Sequence, residues 1–120
     1  MALEVDILGM LMNLKEILTD ATQKGYAVPA FNFNNLETLQ AIMEAAEQMK
    51  SPVILQTSEG AIKYAGMEYL LAMGTLAAKS RVPVALHLDH GRDINIIKEA
   101  IPTGYTSIMF DGSLLSFEEN

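Results

Sequence analysis

An α/β fold built on a parallel sheet is what this sequence predicts, and three observations predict it. Short runs that are apolar throughout alternate with helical segments in four successive βα-like steps. Strands apolar on both faces belong to sheets covered by helices on each side or closed into a barrel. Every run also ends in polar or small residues, namely Asn32, Ser58, Asp89 with His90, and Asp111. Ligand sites gather at that edge of the strands in barrels and open sheets alike.

Each element has its own warrant. Residues 14–24 read as a helix with Leu14, Ile17, Leu18 and Ala21 on one face and Gly25 as its stop. Residues 26–31 form the first strand, although Pro29 inside it cannot donate to a ladder. Asn34 followed by Glu37 has the pattern of a helix cap. The helix it opens runs to about Lys50, burying Leu36, Leu39, Ile42, Met43 and Ala46. Residues 52–57 make the second strand, residues 58–60 the turn that ends it, and residues 68–79 the next helix. The third strand covers 83–88, and a short helix follows at 94–101, broken by Pro102 and Gly104. A fourth strand at 106–110 gives way to Asp111, Gly112 and Ser113, and residues 116–120 read as the opening of another helix.

Composition narrows the function classes. With 120 residues, half of them hydrophobic, the chain can build one core, which excludes general disorder. The formal charge of −7, from 15 acidic against 8 basic residues, comes with no basic cluster and argues against a nucleic-acid partner. Without cysteine, disulfides and thiolate metal sites are impossible, and any metal must be held by imidazole and carboxylate. Glu4 and Asp6, with no basic group in the first ten residues, do not make a secretory signal. No apolar run reaches the roughly 18 residues of a membrane span. The expectation is a cytoplasmic protein with no membrane partner.

The chemistry concentrates at HLDHG, residues 87–91, which closes the apolar run VPVAL. In an extended chain His87 and Asp89 share one face and His90 takes the other, until Gly91 allows a turn. His90 is the best metal-ligand candidate, against a bland reading in which both histidines hydrogen-bond carbonyls in the core. Asp89 suits either a proton donor and acceptor or a carboxylate that orients a neighbouring histidine, and spacing alone does not choose. Ser58 with Gly60 has the makings of a phosphate contact but is also ordinary turn chemistry. Asp111 with Gly112 is weaker still, and Asn32 could donate to a substrate oxygen or simply cap a helix.

Taken in order, YAVPAFNFNN at 26–35, SPVILQTSEG at 51–60, VPVALHLDHG at 82–91, GYTSIMFDGS at 104–113 and FEEN at 117–120 resemble the class II, zinc-dependent fructose-bisphosphate aldolases. The related tagatose-bisphosphate aldolases share much of this pattern. The resemblance runs in register from about Leu14 to Asn120. It implies a (β/α)8 TIM barrel of which only the first four βα units are present, a half-barrel at 14–120 preceded by an N-terminal extension at 1–13. It implies reversible aldol cleavage of fructose 1,6-bisphosphate to dihydroxyacetone phosphate and glyceraldehyde 3-phosphate, with Zn2+ as Lewis acid. Asp89 would then be the catalytic proton donor and His90 a zinc ligand. Ser58 and Asn32 would contact the sugar-phosphate substrate, and Asp111 matches a position that binds a second divalent metal in some members.

Three departures from the family qualify this. The family's remaining zinc ligands and later phosphate loops fall beyond Asn120, Leu114 stands where histidine is usual, and Pro102 is atypical. Four strands cannot close a barrel of shear 8, so two sheet edges stay open. The isolated chain is therefore expected to form a homo-oligomer and to show negligible turnover. The competing functions are a tagatose-bisphosphate aldolase and a non-catalytic half-barrel that serves in assembly or binding; an unrelated open flavodoxin-like sheet is a more distant third.

Overall fold

The computed structural model describes residues 9–120. Along the chain lie α1 (Leu14–Lys24), β1 (Ala30–Asn32), α2 (Leu36–Met49), β2 (Val53–Ser58), α3 (Glu59–Ala65), α4 (Met67–Ala77), β3 (Val84–Gly91), α5 (Ile94–Thr103) and β4 (Ser107–Phe110). The strands pair in parallel in the order β1-β2-β3-β4. These are the predicted four parallel strands, the first three each followed by helix, an arc of a barrel with β1 and β4 as its two edges.

Period-two alternation gives the sheet two unlike faces. Val53 and Leu55 of β2 and Val84, Leu86 and Leu88 of β3 join Leu39, Ala46, Leu70, Ile97 and Ala100 from the helices in one buried cluster. Each fully buried Leu there contributes about 1.5–3 kcal/mol. Gly74 lets α4 press against β3, since a Cβ at that position would lie 3.3 Å from Leu86 Cδ1. The intervening residues Ile54, Gln56 and Ser58, with Ala85, His87 and Asp89, point the other way, into the concave side. At the N-terminal end of that side, Ile54 and Ala85 are buried, as are Ile17 and Ala21 of α1. A cavity of about 690 Å³ opens between α1 and Thr106 and Ser107 at the head of β4.

Several boundaries differ from expectation. The first strand is confined to Ala30–Asn32, because the segment through Pro29 offers no ladder donor. Asn35, not Asn34, caps α2 and accepts from the Thr38 amide at 2.9 Å. The turn expected at 58–60 is instead the start of α3, capped by Ser58, and Gly66 at φ 92 separates it from α4. The third strand runs on to Gly91 through an irregularity in its pairing with β4. Residues 116–120 carry a reciprocal Ser116–Glu119 cap but form turns and no helix. Of the expected extension at 1–13, residues 1–8 lie outside the described residues. Within it, the Gly9 and Met12 amides donate to the Ala78 and Val84 carbonyls at 2.9 and 2.8 Å.

Candidate active site

Parallel pairing fixes which side chains meet on the concave face. Asn32, Gln56, His87 and Ser107 stand in one row across the four strands, and Ser58 stands beside Asp89 one step nearer the strand ends. The row is tied together by hydrogen bonds. Gln56 Nε2 donates to Asn32 Oδ1 at 3.0 Å, and Asn32 Nδ2 donates to Asp89 Oδ2 at 3.1 Å. With its carbonyl oxygen held by Gln56, the Asn32 amide must turn its NH2 toward Asp89. At the other end of the row, His87 Nδ1 lies 2.7 Å from Ser107 Oγ. Burial lowers the His87 pKa, while the Asp89 charge acts the opposite way.

His90 sits where β3 turns away from the sheet. It has φ 50, in the left-handed region that a residue with a Cβ seldom adopts. The following position admits only glycine, since a Cβ on Gly91 would lie 2.9 Å from Ile97 Cγ1 and 3.0 Å from the Met109 carbonyl oxygen. His90 Nδ1 is 2.9 Å from Asp111 Oδ2. Asp111 is buried and accepts from the Ser113 amide, from His90 and from Arg92 Nε; the Ser113 side chain first, then His90, the Ser113 amide and Arg92, hold its pKa far below the usual carboxylate range. A carboxylate only accepts, so His90 donates from Nδ1, which in the neutral imidazole leaves the lone pair on Nε2. That Nε2 lies 3.7 Å from Asp89 Oδ1.

A histidine whose Nδ1–H is held by a carboxylate is the usual form of a metal-binding imidazole. His90 therefore fits as one ligand. The set is incomplete, because among the described residues no three His, Cys, Asp or Glu side chains are placed to share an ion. Asp111, expected as a ligand of a second metal, gives Oδ2 to His90 and Arg92 and Oδ1 to Ser113; in this arrangement it orients His90.

The structure thus gathers Asn32, Asp89, His90 and Asp111 into one connected network at the C-terminal ends of β1, β3 and β4. Ser58 adjoins Asp89 in register, and its Oγ accepts from the Ala61 amide at 3.1 Å while its own O–H remains a donor. Sequence reasoning missed Gln56, Ser107, Glu59 and Arg92. Gln56 carried a signal, being a polar residue that breaks the apolar run Val53, Ile54 and Leu55. Glu59 accepts from the Arg92 and Asp93 amides, 2.7 Å each, across a gap in sequence that no local pattern reveals.

Comparison with known proteins agrees with this geometry. The family model described as fructose-bisphosphate aldolase class II matches residues 12–120. Over 111 residues the chain is 52% identical to the fructose-bisphosphate aldolase of Thermus caldophilus, covering 92% of this chain and 36% of that protein. It is 50% identical over 107 residues to the sulfofructosephosphate aldolase of Alkalicoccus urumqiensis, covering 88% of this chain and 37% of that protein. The crystal structure of the YdjI aldolase from Escherichia coli K12 matches with a TM-score of 0.82 and 41% identity, over 92% of this chain and 43% of that one. The chain spans little more than a third of the length of these curated relatives. Sequence, fold and strand-end network converge: the chain belongs to the class II fructose-bisphosphate aldolase family.

Proposed function

We propose that this segment supplies the proton-transfer and first metal-binding elements of a class II aldolase, a lyase acting on a ketose bisphosphate. The observation that carries the reading is the pairing of Asp89, fixed by the Asn32 amide, with His90, fixed by Asp111, across 3.7 Å at one strand end. Asn32 and Ser58 contact the sugar phosphate beside Asp89. Asp89 moves the proton at the oxygen of the aldehyde half, with Oδ2 held by Asn32 and Oδ1 turned toward the reacting side. His90 Nε2 is the atom suited to hold zinc, which when bound polarises the ketose carbonyl. The other ligands come from outside the described residues.

Fructose 1,6-bisphosphate is the substrate we favour, with tagatose bisphosphate as the alternative. The relative from Alkalicoccus urumqiensis adds sulfofructose phosphate to the set of ketoses this scaffold accepts. Glycolytic chemistry of this kind implies a cytoplasmic location. Among the described residues no helix is long and apolar enough to cross a membrane.

The chain by itself is expected to bind and associate without turning over, because three ligands are not gathered among the described residues. At the two sheet edges Phe31 is 51% and Phe110 48% exposed, and association of two copies through these edges would cover them. Light scattering showing a folded monomer at micromolar concentration would defeat that part. The catalytic part is tested by joining the segment to the remaining two thirds of the Thermus caldophilus aldolase. Chelator-sensitive cleavage of fructose 1,6-bisphosphate is expected from the chimera and not from the 120-residue chain. In the chimera Asp89→Ala keeps zinc and loses cleavage, whereas His90→Ala loses zinc. Metal retained by the His90 variant, or turnover by the segment alone, would overturn the assignment.

A further inference from the structure

We propose that Glu59 is a positioning residue for His90, acting through the backbone of the loop that follows it; this rests on the reading of His90 as a ligand. Glu59 opens α3, the helix that grows directly from the end of β2. From there its Oε1 accepts two amides at once, Arg92 N–H and Asp93 N–H, each at 2.7 Å. These are the second and third residues after His90. Asp93 in turn caps α5, accepting from the Asn95 amide at 2.8 Å. The carboxylate of Glu59 therefore joins the end of β2 to the link between β3 and α5.

The link needs such a tie. His90 has φ 50, and a left-handed backbone at a residue with a Cβ persists only where its surroundings impose it. Asp111 constrains the imidazole and the Arg92 side chain from β4. Its amide also donates to the Gly91 carbonyl at 2.8 Å, but its carboxylate makes no hydrogen bond to the main chain of residues 90–93. Gly91 is packed against Ile97 and the Met109 carbonyl, which fixes where the turn begins. Glu59 fixes where it leads. Two carboxylates, from the ends of the two strands that flank β3, thus hold the same turn, one on the ring and one on the Arg92 and Asp93 amides. Released from Glu59, both amides are near enough to solvent for water to replace the acceptor, so the fold survives while the turn loosens.

Reach and acceptor, not charge, are what the tie requires, and that separates positioning from a general electrostatic role. Glu59→Gln keeps both; Glu59→Asp keeps the charge and shortens the arm by one methylene. The measurement uses the isotopically labelled 120-residue chain, reading amide exchange at Arg92 and Asp93 and the His90 ring-nitrogen shifts that report which nitrogen carries the proton. Glu59→Asp is expected to speed exchange at both amides at least tenfold and to move His90 from a fixed Nδ1–H form to a mixture of tautomers. Glu59→Gln is expected to restore the wild-type pattern. His87 signals and exchange at Leu86 and Leu88 should stay unchanged in both. Rescue by Asp and not by Gln, or faster amide exchange with an unchanged His90 ring, would overturn the proposal. Titrating zinc chloride into the chimera with the Thermus caldophilus aldolase, where the remaining ligands are supplied, tests the underlying reading separately: a His90 Nε2 resonance that does not respond sinks the ligand role and leaves the Glu59 result standing.

Discussion

The same two strands present opposite kinds of surface to their two sides. On the convex side of β2 and β3, Leu55, Leu86 and Leu88 are fully buried under the helices, and the polar residue among them, Thr57, shares a 2.7 Å hydrogen bond with Tyr105. One residue along, on the concave side, Gln56, His87 and Asp89 are partly exposed and are held by lateral hydrogen bonds to β1 and β4. Burial of apolar area supplies stability on the first side. On the second, positioned polar groups supply chemistry at little cost to stability, because solvent and neighbouring strands satisfy them. The difference teaches that mutational effects should sort by strand parity, with neighbouring residues on one strand behaving oppositely.

The sharpest way to break this comparison is a cavity on the convex side. Leu86→Ala is expected to destabilise the chain by about 3 kcal/mol, measured as a lower urea midpoint at constant m. The vacated space lies beneath Gly74, where α4 has no side chain to fill it. A loss under about 1 kcal/mol would show that this side does not carry the stability. Next in size is Tyr105→Phe, which strips Thr57 of its partner in a fully buried setting. It should cost about 1–2 kcal/mol by the same measurement.

How much of this was legible in the sequence follows the same division. The convex side was readable, because apolar runs such as Val53, Ile54 and Leu55 and the helical stripe of Leu39 and Ala46 announce themselves locally. The strand-end residues Asn32, Ser58, Asp89, His90 and Asp111 were readable too, as polar groups placed where apolar runs stop. What escaped was everything that depends on register. Asn32, Gln56, His87 and Ser107 are neighbours only once the parallel pairing is known. Helix α3 escaped because Ser58, Glu59 and Gly60 have turn composition, and only the Ser58 cap with Ala61 converts the turn into a helix start. Asn34 and Asn35 are chemically equivalent caps, and it is Asn35 that has the extended backbone of a cap and accepts from the Thr38 amide.

Acid sharpens the comparison without any substitution. The His87 pKa is lowered by burial, so the unfolded chain takes up a proton more readily than the folded one. The contribution of neutral His87 is present above its ordinary value of 6.5 and is lost as pH falls through the depressed folded value. Asp111, with its pKa lowered by its Ser113, His90 and Arg92 contacts, adds a second loss that begins below 3.8. Thermal melts from pH 8 downward should therefore show a decline beginning near pH 6.5, flattened in His87→Asn, and a further decline at strong acid, removed in Asp111→Asn. A flat profile down to pH 4 in the unsubstituted chain would mean that His87 is freely hydrated.

The smallest expected change in stability is also the most discriminating. Gln56 lies between Leu55 and Thr57, both fully buried, yet its own side chain is partly exposed on the concave face. Gln56→Leu is expected to shift the urea midpoint by less than about 0.5 kcal/mol, since the lost hydrogen bond is replaced by water. Its effect should appear elsewhere. Without Gln56 Nε2 on Asn32 Oδ1, only the Asp89 carboxylate still selects the NH2 end of Asn32, and the amide loses one of its two holds. The Asn32 side-chain amide resonances should therefore broaden or split. If Gln56→Leu destabilised the chain as much as Leu86→Ala, the division of labour between the two faces would be wrong. If it left the Asn32 amide undisturbed, the Asp89 carboxylate alone would suffice to orient Asn32, and Gln56 would add nothing to the site.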